Sequence, residues 1–255
     1  MDAYQSFAKV YDTFMDNIPY DIWCEYIVEL LTEYEITGGL VLELGCGTGN
    51  MTKRLSDKGY DMIGVDASAE MLEAATQKQS VSRSQILYLQ QDMCEFELYG
   101  TVRAVVSICD CVNYILEEEK LLQMFRLVNN YLDPQGVFLF DLNTVYKYEK
   151  LMGDATIAEN REEGSFIWEN YYDKLKKLNV YELTLFIPEN QEREGYYRKY
   201  EEVHYQRAYT LSEIRELLER AGMEYVAAYD ACSHEYPKKE SERIYIIARE
   251  SGKQE

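Results

Sequence analysis

The sequence predicts an α/β fold, a mostly parallel sheet covered on both faces and interrupted by a smaller antiparallel sheet. A strand–helix alternation repeats five times between residues 40 and 141, and its strands are solid apolar runs. Such runs mark strands buried on both faces. Residues 145–209 change to strict alternation of apolar and polar positions, the mark of antiparallel strands with one face in solvent. The first pattern then resumes, for seven main-sheet strands in all.

In chain order, residues 3–16 place Tyr4, Phe7, Ala8, Tyr11, Phe14 and Met15 on one helical face. Pro19 interrupts, and a second helix turns Tyr20, Trp23, Ile27, Leu30, Leu31 and Tyr34 inward. These two helices, within residues 1–36, either cap the sheet edge or roof a pocket through Tyr4, Phe7 or Tyr11. Residues 40–44 are an apolar strand that climbs into Gly45, Gly47 and Gly49. Glycine tolerates positive φ and lets a ligand touch bare backbone. A helix over 48–58 ends at Gly59.

Residues 60–65 form the next strand, ending in Asp66, and Ser68 caps a helix that buries Met71, Leu72 and Ala75. Strands at 86–89 and 104–109 end at Gln91-Asp92-Met93 and at Asp110. A helix over 117–131, a turn at 133–136 and a strand at 137–140 ending in Asp141 complete the five repeats.

In the insertion, strands are expected at 165–173, 178–187 and 195–209, with Tyr181, Leu183, Leu185 and Ile187 sharing one face. Ten of the 24 tyrosines fall here, enough for an aromatic wall that is either ordinary packing or the lining of a substrate chamber. Thr210-Leu211-Ser212-Glu213 starts a helix that ends at Gly222, and strands follow at 223–229 and 243–248. The expected division is a core of residues 1–144 and 210–255 carrying residues 145–209 as a lid over substrate.

The balance of 26 basic and 46 acidic residues gives a net charge of -20. Such a surface repels phosphate backbones and argues against a nucleic-acid partner. The six cysteines form no CxxC pair and no zinc-like spacing, so no metal site is expected and reduced thiols in the cytoplasm are the simplest account. The acidic N-terminus lacks the basic start of a signal peptide, and no stretch approaches the roughly 18 apolar residues of a membrane span. Monomer and homodimer both remain open.

Ligands of open α/β sheets sit beyond the carboxyl ends of the strands. Here those ends carry the glycine loop, Asp66, Asp92, Asp110 and Asp141, a set suited to a ligand rich in hydroxyl and amine donors. A nicotinamide dinucleotide calls for GxGxxG meeting a pyrophosphate. This loop is GxGxG preceded by Glu43, whose carboxylate opposes a pyrophosphate and favours a cation.

Glu43-Leu44-Gly45-Cys46-Gly47-Thr48-Gly49 resembles motif I of the class I S-adenosylmethionine-dependent methyltransferases. The resemblance runs on through Gly64-Val65-Asp66-Ala67-Ser68 with Met71-Leu72, Gln91-Asp92-Met93, the strand ending at Asp110, and Leu132-Asp133-Pro134-Gln135-Gly136-Val137-Phe138, about 100 residues in order. Tyr4-x-x-Phe7-Ala8-x-x-Tyr11-Asp12 and the inserted sheet are similar to the bacterial small-molecule branch, which includes glycine N-methyltransferase-like and amino-sugar N-methyltransferase-like proteins.

The resemblance implies a Rossmann-like seven-stranded sheet and S-adenosylmethionine as cofactor. It implies backbone contacts from Gly45, Cys46 and Gly47 to the methionine moiety, with Glu43 orienting its ammonium. Asp66 would take both ribose hydroxyls, with Ala67 and Met71 in the same segment. Asp92 would accept from the adenine amino group and Met93 would meet the ring edge. Cys109 and Asp110 would lie under the sulfonium, and Tyr11 over the pocket.

Methyl transfer from a sulfonium is an in-line displacement with an excellent leaving group, so alignment and exclusion of water do most of the work. A base is needed only if the nucleophile must first lose a proton. Asn113 and Tyr114, just after the fourth strand, are placed to meet the acceptor. Of the two histidines, His204 is the candidate base, sharing a strand face with Tyr200 and Gln206; a structural role is its alternative. Arg207 either binds a substrate carboxylate or pairs with an acid. The expected activity is methylation of a small-molecule amine or oxygen. A methyltransferase of RNA or of a ribosomal protein, and a non-catalytic cofactor- or partner-binding protein, are the alternatives.

Overall fold

The computed structural model describes residues 11–79, 85–189 and 195–253. The main sheet holds β1 (Gly39–Leu44), β2 (Tyr60–Asp66), β3 (Leu87–Gln90), β4 (Val102–Ser107), β5 (Leu132–Asn143), β10 (Glu224–Asp230) and β11 (Arg243–Arg249). Their order is β10-β11-β5-β4-β1-β2-β3. The strands from β3 to β5 are parallel, while β11 runs antiparallel to both β5 and β10. This is the α/β architecture with seven mostly parallel strands that the sequence predicts.

Both faces are covered because the strands alternate between two cores. Leu42 and Leu44 point into the layer that holds Phe125 and Val128 of α5 (Glu118–Tyr131) and Leu217 of α6 (Leu211–Arg220). Val41 points the other way, against Trp23, Ile27 and Leu30 of α2 (Tyr20–Glu33) and Leu55 of α3 (Asn50–Asp57). Each fully buried aliphatic of this kind contributes about 1.5–3 kcal/mol. At the start of α6, Thr210 and Glu213 exchange backbone and side-chain bonds as a capping box, worth about 1 kcal/mol.

The inserted sheet has four strands in the order β6 (Thr156–Arg161), β7 (Gly164–Asp173), β8 (Leu178–Pro188), β9 (Tyr197–Arg207), all antiparallel. The three predicted strands are β7 to β9. The unpredicted one, β6, is mostly exposed and so has no apolar alternation to betray it. The expected turn at 133–136 lies inside β5, where a register shift between the Val102 and Ala104 pairings absorbs it.

Of the helix expected over 3–16, α1 (Tyr11–Phe14) is described; Tyr4, Phe7 and Ala8 lie outside the described residues. This short helix ties the two sheets together. Asp12 accepts hydrogen bonds from Thr48 Oγ1 at 2.7 Å and Asn50 Nδ2 at 2.9 Å, beside the glycine loop. Phe14 packs with Tyr181, Leu183 and Leu185 of the insertion, and Arg161 of β6 holds Asp16 with both guanidinium nitrogens at 2.8 and 2.9 Å. Among the described residues no helix is long and apolar enough to cross a membrane.

Candidate functional site

The glycine loop follows β1 directly. Gly45 N and Cys46 N both donate to Val65 O, at 2.8 and 3.0 Å, which turns the chain back over the end of β2. Gly45 has φ 74, and a Cβ there would lie 2.5 Å from Cys111 Sγ, so the site admits no side chain. Gly47 also has positive φ, at 52, yet a Cβ there would meet nothing within 4 Å. Gly45 lets two segments pack, whereas Gly47 leaves bare backbone facing open space.

That space is a cavity of about 640 Å³ at the carboxyl ends of the parallel strands. Its wall contains Tyr11, Glu43, Gly45, Cys46 and Gly47 on one side. Asp66, Ala67, Met71, Asp92 and Met93 follow, with Cys109 and Tyr114. Thus eleven of the twelve residues expected at the cofactor, all except Asp110, share one cavity with the expected acceptor contact Tyr114.

The carboxylates differ in their state. Asp66 Oδ2 accepts Gly47 N–H at 2.8 Å and Oδ1 accepts Ser68 N–H at 2.9 Å. Burial pushes its carboxyl up, opposed by these backbone donors. Each oxygen keeps acceptor capacity, as two vicinal hydroxyls require. Asp92 is oriented by Cys94 N–H at 2.7 Å. Glu43 is 3% exposed, and burial pushes its carboxyl up to about 8, helped by the charge of Asp66 and opposed by a hydrogen bond from Thr52 Oγ1. A buried acid kept mostly protonated at neutral pH is drawn back to its charged form by a cation. An ammonium, a diol and a close approach to backbone are therefore what this wall accommodates, and the donor set fits S-adenosylmethionine.

Asp110 departs from the expectation. Its carboxylate faces away from the cavity into an ion pair with Arg243 Nη2 at 2.7 Å, and accepts Gln206 Nε2 at 2.6 Å. Cys109 and Asp110 are consecutive left-handed residues, φ 66 and 54. Fully buried Asp141 holds both, accepting their N–H groups at 3.2 and 2.7 Å, and pairs with Arg243 Nη1. Burial pushes the Asp141 carboxyl up and Arg243 opposes it. Burial also pushes the Cys109 thiol well up, reinforced by Asp141, so it is a neutral wall element.

Asn113 also differs. It is fully buried, its Nδ2 donating to Asn143 O at 3.2 Å and Arg207 O at 2.9 Å, and its Oδ1 accepting Asn143 N–H at 3.0 Å. Its amide joins the strand-end turn to β5 and β9 and does not line the cavity. Arg207 donates to Leu116 O at 3.1 Å, lies 3.7 Å from Glu213 and covers the Tyr209 ring; it too stands outside the cavity wall.

Tyr114 and His204 are brought together. Tyr114, at the end of a 3₁₀ turn (Cys111–Tyr114), has its hydroxyl 2.5 Å from Tyr181 Oη and 3.2 Å from His204 Nδ1. The His204 ring stacks on Tyr181, centroids 4.4 Å apart, and Tyr181 stacks on Trp168. Aromatic rings of the insertion thus pack against each other and reach the cavity wall through the contact of Tyr181 with Tyr114. Two further residues belong to the site region: Glu202, which β-strand alternation places on the same face as His204, and Tyr20, whose position in the inward stripe of α2 also puts it on the cavity wall. Cys111 and Arg243 carried no local signal.

Residues 41–136 match the family described as "Methyltransferase domain". The chain is 34% identical over 249 residues to a putative methyltransferase of Bacillus subtilis, covering 97% of each chain. Its fold superimposes with TM-score 0.86 on the crystal structure of a S-adenosylmethionine-dependent methyltransferase from Clostridium acetobutylicum, 28% identical, covering 98% of this chain and 99% of that one. The sugar N-methyltransferase KedS8 from Streptoalloteichus is similar in fold alone, at 17% identity and TM-score 0.76 over 95% of this chain and 93% of that one.

Proposed function

This chain belongs to the class I S-adenosylmethionine-dependent methyltransferases, and on that premise we propose that it methylates a small-molecule nitrogen or oxygen nucleophile by in-line displacement. The observation that carries the reading is the one cavity whose wall holds the glycine loop, Asp66 and Asp92 together with Tyr114. When bound there, the cofactor supplies an activated methyl group whose leaving group is a neutral thioether.

The protein's part is to bind, orient and exclude water. Gly45 and Gly47 admit the methionine end to backbone contact, Glu43 attracts its ammonium, and Asp66 accepts from the ribose hydroxyls. Asp92 and Met93 receive the adenine edge. Cys109 is a neutral wall under the sulfonium, in a backbone conformation set by Asp141. Tyr11, on α1, roofs this end, supported by the bonds of Asp12 to Thr48 and Asn50. Tyr114 meets the acceptor, with His204 behind its hydroxyl. Residues 145–209 act as the lid over substrate, on a core of residues 1–144 and 210–255. Orientation of a nucleophile at about 3 Å with water excluded supplies several kcal/mol of the barrier reduction. The -20 charge supports a small acceptor over RNA.

The test is a labelled-methyl screen against amines, amino acids, amino sugars and hydroxy acids, beside calorimetry of S-adenosylmethionine. Binding with transfer to one of these classes supports the proposal. Binding without transfer to any of them would favour a non-catalytic role, and transfer only to RNA or ribosomal protein would overturn the small-molecule reading.

A further inference from the structure

We propose that Tyr114, His204 and Glu202 form a proton relay that takes the acceptor's proton out of the cavity and into the inserted sheet. The inference rests on the methyltransferase reading above. Three residues in succession, joined by two contacts, carry it. Tyr114 borders the cavity, and its hydroxyl lies 3.2 Å from His204 Nδ1. Across the same imidazole, His204 Nε2 lies 3.3 Å from Glu202 Oε2, within ion-pair distance though not aligned as a hydrogen bond. The His204 and Glu202 side chains are 0% and 5% exposed, so the line runs from the cavity into the protein interior and not to bulk water.

The order of donors follows from the chemistry of the ends. A carboxylate only accepts, so the nitrogen facing Glu202 carries the proton and Nδ1 keeps its lone pair towards Tyr114. Tyr114 then donates to Nδ1, and its own oxygen retains acceptor capacity for an acceptor X–H and for Tyr181, 2.5 Å away. Stacking fixes the ring plane: Tyr181 lies parallel to His204 within 9°, and Trp168 backs Tyr181 at 4.2 Å. β9 supplies both His204 and Glu202 because residues two apart in a strand share a face.

In the step, the X–H bond breaks and its electron pair stays on X, ready for the methyl carbon. The released proton bonds to Tyr114 Oη as the Tyr114 proton passes to Nδ1. The products are a nucleophile one proton poorer and an imidazolium against the Glu202 carboxylate. Generating the imidazolium beside a buried carboxylate costs less than generating it alone, because the charge is born paired. His204 is the terminal base and Glu202 is a positioning residue that acts through it. Base catalysis of this type contributes about 10²–10⁴-fold.

The chain has only two histidines, so long-range ¹H–¹⁵N spectra of the uniformly ¹⁵N-labelled full chain resolve them, with His234→Gln giving the assignment. The expected result at pH 7.5 is a neutral His204 protonated on Nε2, with this preference lost in Glu202→Gln. Wild-type His204 protonated on Nδ1, or a tautomer indifferent to Glu202→Gln, would overturn the relay. The wild-type spectrum needs no variant to fold. With an acceptor returned by the labelled-methyl screen, Glu202→Gln should lower kcat ten-fold or more and leave KM and the Kd for S-adenosylmethionine unchanged; an unchanged kcat also overturns it. Absence of S-adenosylmethionine binding in calorimetry would instead defeat the underlying methyltransferase reading.

Discussion

Arg243 Nη2 lies 2.7 Å from Asp110 Oδ1 while Nη1 of the same guanidinium pairs with Asp141. One cation from β11 thus pairs with both carboxylates that shape the turn after β4, and its plane rests on the Trp23 ring at 5.0 Å. The two left-handed residues of that turn, Cys109 and Asp110, keep their conformation because Asp141 holds their N–H groups.

Arg243→Met should therefore destabilise by about 3–5 kcal/mol, the cost of leaving buried carboxylates without their counter-charge. The measurement is denaturant unfolding. Asp141→Asn in the same background should recover part of the loss, since it removes one of the orphaned charges. Additive losses in the double variant would mean the two residues are not coupled.

Gly45 and Gly47 separate stability from binding. Gly45→Ala forces a Cβ to 2.5 Å from Cys111 Sγ and should lower Tm clearly. Gly47→Ala has room for its methyl and should cost only the left-handed backbone penalty, about 1–2 kcal/mol, while placing a methyl in the path of the cofactor. Thermal melts and cofactor calorimetry on both variants distinguish the two effects. The reverse pattern would show that the cavity is not where the cofactor lies.

Asp66→Ala should weaken S-adenosylmethionine binding by about 1–3 kcal/mol, as for loss of a charged hydrogen-bond acceptor. Part of this is indirect, because Asp66 also orders Gly47 and Ser68 through their N–H groups. Unchanged affinity by calorimetry would remove Asp66 from the ribose site.

Glu43 predicts a pH signature with a definite sign. Its folded-state carboxyl is pushed up to about 8 by burial, against an ordinary value of 4.5, so the folded protein holds a proton that the unfolded chain has already released. Stability of the ligand-free protein should fall as pH rises from about 4.5 through about 8, and Glu43→Gln should flatten that fall. A bound ammonium restores the carboxylate, so binding at pH 7 should release about one proton. Calorimetry in buffers of different ionisation enthalpy measures the release, which should vanish in Glu43→Gln.

The parallel sheet and the glycine loop were legible because their signals are local. Each strand is a solid apolar run, and Asp66 and Asp92 each follow such a run by one to three residues. The same rule led to Asp110, and there it stopped working. What turns that carboxylate away from the cavity is Arg243, 133 residues further on, and nothing near Asp110 announces it. Asn113 is similar: its amide is spent on Asn143 and on the carbonyl of Arg207, 30 and 94 residues away. Strand β6 escaped notice because it buries too little to need an apolar face. Glu202 was readable, since it stands two places from His204 on one strand.

The position of β11 has a consequence for how the molecule is made. It enters the sheet between β5 and β10, pairing with β5 residues about 100 positions earlier in the chain. Pairings over such separations are slow to form. During synthesis, the stretch from Gly39 to Asn143 emerges with the β5 edge bare and the Asp110 and Asp141 charges uncompensated. The turn that floors the cavity is finished only when Arg243 arrives, so nascent chains stopped short of β11 should neither bind the cofactor nor resist proteolysis.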